Sequence, residues 1–302
     1  MGSRAGGSDA PTRGFASCHP DMGSETAAQR TLLVGCGQVG TRLGLRLAAG
    51  GGEAVALRRR TEALPAALSP LAVDLGEPVP RGLLPEVDAM VVTLPPGPDD
   101  DAYVRSLRHL ADALPEPPSR VVLVSSTRVL EGLAGAEVRT EADAPAPVSA
   151  RARALLEGER VARERLGALV VRPAGIYGPG RERLVRSVLE RTPVQHARRT
   201  NRIHETDLVR ALEAMLSATD PPRLLHAVDR RPAPLGEVVG WIAARLGVEP
   251  PPRVLPEVAG GTVLAGDRLL ALLGDLRFPS FEEGYGAMLD ARDGGAPPTG
   301  RA

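Results

Sequence analysis

The sequence predicts an α/β fold built on a doubly wound parallel sheet, and three observations predict it. From residue 31 onward, short runs of valine and leucine alternate with amphipathic stretches. Runs with no polar alternation mean strands buried on both faces, an environment that helices on either side of a parallel sheet provide. A glycine-rich turn, GCGQVG, joins the first of these runs to the first amphipathic stretch. The composition, 43% hydrophobic and 25% charged over 302 residues, suits a globular chain with one large or two small cores.

The elements follow in order. TLLVG (31–35) reads as a short buried strand, and Gln38 to Ala49 as a helix with Leu43 and Leu47 at helical spacing. EAVAL (53–57), LAVDL (71–75) and AMVVTL (89–94) read as the second, third and fourth strands. A helix over 100–114 leads to RVVLVSS (120–126), and a helix over 149–166 leads to ALVVRP (168–173). Beyond 175, Pro and Gly punctuate shorter elements: a helix near 205–217, a strand LLHAV (224–228), a helix over 234–246 and a lobe of short helices to about 290. This divides the chain into a disordered tail (1–29, with Met22 as an alternative start), a nucleotide-binding core (30–175), the remaining sheet elements with a small substrate lobe (176–292), and a loose tail (293–302).

Charge and composition exclude several function classes. The 37 basic and 37 acidic side chains cancel, so neither nucleic acid nor a membrane surface is the expected partner. Every basic residue is arginine. Without lysine there is no Schiff base, no P-loop lysine and no lysine proton relay. Cys18, Cys36 and five scattered histidines show no metal-ligand spacing and no disulfide framework, so no metal is expected and a reducing cytoplasm is. No apolar stretch approaches the roughly 20 residues that span a bilayer. The expectation is a monomer or homodimer acting on a small-molecule substrate.

The glycine turn carries the chemistry. Gly35 permits the tight bend, Gly37 lets backbone approach a pyrophosphate, and Gly40 lets the helix pack close to the sheet. Gln38 and Val39 open that helix, whose free N–H groups and positive end suit phosphates. This strand–turn–helix setting makes the core a dinucleotide-binding Rossmann fold; the alternative is a merely structural turn. An NAD site usually places Asp or Glu about 20 residues after the glycines. Here Arg58, Arg59 and Arg60 end the second strand. A planar guanidinium suits a 2′-phosphate, so NADP is favoured over NAD, with Arg58 and Arg59 as contacts. A solvated basic loop is the competing reading.

GCGQVG, VVLVSSTRVLEG (121–132), VVRPAGIYGPGR (170–181), RIHETDL (202–208) and AVDRRPAPLGEVV (227–239) occur in an order that resembles the extended short-chain dehydrogenases/reductases. That NAD-dependent epimerase/dehydratase group includes the nucleotide-sugar epimerases and dehydratases. LGDLRFPSFEEGY (273–285) resembles its C-terminal segment, and the likeness covers about 31–289. The resemblance implies a Ser or Thr at a sheet end and a Tyr-x-x-x-Lys pair on the next helix. Ser126 takes the serine position, with Ser125 and Thr127 as close alternates. Aligning LLEGE puts Ser149 at the tyrosine position and Arg153 at the lysine position, so the pair itself is missing, as in the atypical branch of the superfamily. Arg153 can hold ribose hydroxyls but cannot exchange protons. Ser149 also reads as an N-cap.

The resemblance further implies that Asp74 and Leu75 lie by the adenine and that Thr93, Leu94 and Pro95 skirt the cofactor. Arg172 and Pro173 end the sixth strand at the carboxyl edge, where such sheets bind ligands. His204 is a candidate proton donor, with a packed histidine as the default; Asp207 reads as a helix-start residue holding backbone N–H groups. Tyr177, in the IYGPG turn, reads as structural or at the cofactor's edge rather than as a proton-transfer group. Two functions stay open: an NADP-dependent oxidoreductase or epimerase-like enzyme, and a non-catalytic NADP(H)-binding sensor or regulator.

Overall fold

The computed structural model describes residues 1–2, 29–96 and 100–293. The tails expected at either end fall almost wholly outside the described residues. The first half runs β1 (Arg30–Val34), α1 (Gln38–Ala49), β2 (Glu53–Arg58), β3 (Ser69–Ala72), β4 (Ala89–Val92), α2 (Asp100–Ala113), β5 (Arg120–Val124), β6 (Val138–Arg139), α3 (Ala150–Leu166) and β7 (Leu169–Pro173). The second runs β8 (Gly175–Tyr177), α4 (Arg183–Leu189), β9 (Arg199–Thr200), β10 (Arg202–His204), α5 (Glu205–Ser217), β11 (Leu224–Ala227), β12 (Ala233–Pro234), α6 (Leu235–Leu246), β13 (Val263–Leu264), α7 (Asp267–Leu273) and α8 (Phe281–Asp293).

Seven strands form one sheet in the order β11-β7-β5-β4-β1-β2-β3, with every pairing parallel. This is the doubly wound sheet expected from the valine and leucine runs. Strand β1 lies between β2 and β4, with Val34 level with both Leu57 and Val92. The winding reverses there, so the crevice beyond the carboxyl ends of β1 and β4 is the place where such sheets hold ligands.

Helices cover both faces. One apolar layer packs Tyr103, Leu107 and Leu110 of α2 and Leu155 and Val161 of α3 against Leu32, Met90 and Leu123. The other packs Leu43 of α1 and Leu208, Leu212 and Met215 of α5 against Leu33, Val91 and Val122. At Gly44 a Cβ would come within 2.7 Å of Leu33 Cδ1 and 2.8 Å of Leu68 Cδ2, so this glycine, one turn beyond Gly40, sets how closely α1 meets the sheet. A third core, with Tyr177, Val188, Ile242, Phe281, Tyr285 and Leu289, joins α4, α6 and α8.

Three two-stranded ladders, β8–β10, β6–β13 and β9–β12, were not foreseen. Pairings of two or three residues between distant segments carry no periodicity to read. No helix among the described residues is long and apolar enough to cross a membrane.

Candidate dinucleotide site

The turn after β1 is braced on three sides. The Gly35 N–H donates to Leu57 O at 2.9 Å, the Gly37 N–H to Gly35 O at 2.6 Å, and Thr93 Oγ1 donates to Gly35 O at 2.8 Å. Gly35 has φ +76°, and a Cβ there would meet Leu94 Cδ2 at 2.8 Å, so both conformation and space demand glycine. Gly37 stands at the N-cap of α1 without any side-chain cap. A Cβ there would project to the mouth, its one neighbour within 4 Å being Gly35 O. The first N–H groups of α1 therefore face the crevice with no side chain upon them, the arrangement an anion needs.

A cleft of about 520 Å³ opens from this turn. Of the residues expected to hold cofactor, Gly35, Gly37, Arg58, Arg59, Asp74, Leu75, Leu94 and Pro95 line it together, joined by Arg60. Cys36, within the turn, and Tyr103 and Ser106 of α2 also line it; the two α2 residues were not expected there, because nothing local marks a helix residue that faces a cleft. Asp74 uses Oδ1 to accept the Gly76 N–H at 2.9 Å, and Arg58 reaches Cys36 O at 3.5 Å. Three guanidinium groups against one carboxylate make this end of the cleft positive.

Other expected residues are engaged elsewhere. The Gln38 amide donates to Pro179 O at 2.7 Å, so only its backbone N–H is left for a phosphate. Val39 is buried in the core behind the turn, and Gly40 packs 3.4 Å (as a notional Cβ) from Thr93 Oγ1. Ser125 is buried, and its hydroxyl donates to Glu159 Oε1 at 2.7 Å, away from any cofactor. Pro173 is buried, with its carbonyl accepting from Thr127 Oγ1 at 3.4 Å.

Arg172 corrects an expectation. It sits at the carboxyl edge, but its side chain turns inward, 1% exposed, and clasps Glu159 with two bonds of 2.8 and 2.7 Å. A guanidinium next to a buried carboxylate is held by it rather than by a ligand. Sequence spacing gave no warning, because Glu159 lies on α3 among exposed charges.

At the end of β5, Ser126 caps a single turn of 3₁₀ helix (Thr127–Leu130): its Oγ accepts the Arg128 N–H at 3.2 Å. The hydroxyl hydrogen stays free to donate. Glu131 then reaches across and accepts the N–H groups of Val148, at 3.1 Å, and of Ser149. Burial works against its charge, yet these donors and Arg128 outweigh it and hold the carboxyl below its ordinary range. Ser149 is the N-cap of α3, accepting the Ala152 N–H at 3.2 Å, which is the capping reading of that residue. Arg153 is exposed and donates to Val148 O at 2.6 Å.

His204 is a second correction. The ring is 3% exposed, its Nδ1 accepts the Thr206 N–H at 3.2 Å, and it packs 3.9 Å from Phe278 and edge-on to Tyr177. Burial, aided by Arg42 and opposed by Asp207, lowers its pKa to about 4. A buried imidazole occupied as a helix cap fits the packed histidine, the default reading of this residue. Asp207 does hold backbone N–H groups, but those of Arg277 and Phe278, each at 2.8 Å, so it staples a distant segment to α5.

Comparison with known proteins places this architecture. No family model matches the chain, and no curated protein does. Among solved structures, a Methylobacillus flagellatus protein assigned to the NAD-dependent epimerases/dehydratases is 29% identical, with TM-score 0.74, covering 88% of this chain and 100% of its own. The NAD-dependent NDP-hexosamine 5,6-dehydratase TunA is 20% identical with TM-score 0.72, covering 89% and 99%. The Bordetella bronchiseptica enzyme WbmG, solved with NAD, is 16% identical with TM-score 0.70, covering 88% and 96%. The structural neighbours are thus members of the NAD-dependent epimerase/dehydratase group across most of the chain, and the resemblance read from the five ordered segments holds in three dimensions.

Proposed function

We propose that this chain, built like its epimerase and dehydratase neighbours, is a dinucleotide-dependent enzyme that prefers NADP and acts on a small hydroxyl- or carbonyl-bearing metabolite, nucleotide-linked as the NDP-hexosamine of TunA is. The observation that carries the reading is the uncapped N-terminus of α1 behind a glycine turn, opening on a cleft lined by Arg58, Arg59 and Arg60. Gly35, Gly37 and the N–H groups of Gln38 and Val39 would hold the pyrophosphate, and Arg58 and Arg59 the 2′-phosphate. Asp74, Leu75, Leu94 and Pro95 would line the adenosine side.

When bound, the nicotinamide supplies hydride transfer. The chain's own part is orientation and proton handling. Ser126, fixed by the Arg128 N–H, offers its free hydrogen to a carbonyl oxygen. Glu131 ties the turn after Ser126 to the cap of α3, so Ser126 and Ser149 belong to one braced unit. With neither Tyr nor Lys on the first turns of α3, a hydroxyl or water must move the proton. Cys36 is a free buried thiol in the glycine turn, which suits a reducing cytoplasm.

One observation favours the second reading, a non-catalytic NADP(H) sensor. His204 is sealed into the core, which keeps its imidazole from standing in for the missing tyrosine. Following NADPH oxidation with aldehydes, ketones and nucleotide-linked sugars separates the two. Turnover with any of them supports the enzyme; tight NADPH binding with no turnover supports the sensor; no binding of either dinucleotide overturns both.

A further inference from the structure

We infer that the Gly178–Arg181 turn is a strap clasped onto the first turn of α1, and that Gln38, Arg42 and Glu205 are the clasp that positions it beside the dinucleotide's phosphates. The inference rests on the cofactor reading above. Two side chains of α1 converge on one carbonyl of the strap: Gln38 Nε2 donates to Pro179 O at 2.7 Å and Arg42 Nη2 at 3.1 Å. These partners lie 141 and 137 residues apart in sequence, so local folding does not bring them together.

Beneath the strap lies Glu205, the first residue of α5, with no exposed side-chain surface. Its Oε1 is 2.8 Å from Arg42 Nη2, and its Oε2 is 3.9 Å from Arg181 Nε. A buried carboxylate is costly unless cations meet it; here the close one comes from α1, with the strap's own Arg181 at the outer edge of ion-pair distance. The strap also lies close against these side chains. Gly178 has φ +146° and Gly180 φ +81°. A Cβ at 178 would lie 2.5 Å from Glu205 Cγ, and one at 180 would lie 2.7 Å from Gln38 Nε2. Both backbone conformations favour glycine, and a side chain at either position would displace a member of the clasp.

The consequence follows from where Gln38 sits. It is the residue immediately after Gly37, so the strap is tied to the same helical turn whose N–H groups would receive the pyrophosphate, and we take it as the wall beside them. Clasped, strap and helix end move together and the wall is preformed, which lowers the ordering cost of binding. Unclasped, the wall opens and the dinucleotide leaves faster.

The test uses the full chain with NADPH as probe, following its fluorescence for affinity and release rate, and amide hydrogen exchange over 178–182. Gln38→Ala, which removes one exposed contact, should leave the melting of the free chain unchanged. It should weaken NADPH roughly three- to tenfold through faster release, with faster exchange in the strap. Arg42→Met with Glu205→Gln, which removes the pair without stranding a buried charge, should reproduce and exceed this. Arg46→Ala, which breaks the Arg46–Glu213 ion pair on the same helix, should change neither quantity. Unchanged release and exchange in the clasp variants overturn the strap alone. A wild-type chain that binds neither NADP(H) nor NAD(H) overturns the cofactor reading and the strap's role with it.

Discussion

Arg58 and Arg59 stand in a cleft whose one lining carboxylate, Asp74, is already occupied by the Gly76 N–H. If they read a 2′-phosphate, Arg58→Glu with Arg59→Ala should weaken NADP by about 2–4 kcal/mol and leave NAD nearly unchanged, since one charge-assisted contact is lost and another reversed. Calorimetric titration of both dinucleotides decides it, and equal losses would show that these arginines sit in a solvated loop. Ser126→Ala should keep dinucleotide affinity while lowering any turnover, because only the hydroxyl donor is removed. A third residue governs pH. Asp229 is 2% exposed and burial, opposed by Arg202 and Arg231, lifts its pKa from 3.8 to about 7. A folded pKa above the unfolded one means its contribution is whole below about pH 3.8 and lost as pH rises through 7. Asp229→Asn should therefore stabilise the chain by roughly 1–3 kcal/mol at pH 8 and by nothing at pH 4, read from urea unfolding at each pH.

Elements here are joined by buried charge as well as by apolar packing. Glu159 of α3 takes both bonds from Arg172 of β7, one from Ser125 at the end of β5 and one from Arg163 of α3 at 3.0 Å, which locks helix and strands in one register. Removing one partner strands the other, so Arg172→Met should cost about 3–5 kcal/mol, and adding Glu159→Gln should recover part of it. Chemical denaturation of the single and double variants measures this; additive losses would mean the pair is not coupled. The main helices and strands were legible because each is long enough to show its period. Gln38–Ala49 and Glu205–Ser217 match their expected bounds to the residue. The ladders β8–β10, β6–β13 and β9–β12 were not, because two or three residues have no period and their partners are distant.

At the scale of the whole chain, the sheet order puts the glycine turn, the end of β2 and the ends of β4 and β5 along one edge. A dinucleotide spanning that edge binds only the folded chain. Saturating NADPH at a hundred times its dissociation constant should therefore add about 2.7 kcal/mol, a rise of several degrees in melting temperature. Gly37→Val should abolish the rise by filling the approach to the phosphates while leaving the fold intact. A melting temperature unmoved by either dinucleotide at millimolar concentration would sink the cofactor reading.

The sequence by itself determined the doubly wound sheet, the position of the glycine turn and the run of arginines at one end of the cleft. Each is written in neighbouring residues: strand and helix periods, a glycine spacing, three consecutive arginines. Which polar side chains face the cleft was decided only by tertiary structure. Arg172 and Ser125 stand at the carboxyl edge yet turn inward, because a carboxylate from α3, 13 and 34 residues away, meets them there. His204 leaves the site for the core because Phe278 and Tyr177 close over it. The Gln38 amide is drawn to a carbonyl 141 residues distant. Burial and charge pairing between remote segments set the direction of a side chain, and no local pattern records them.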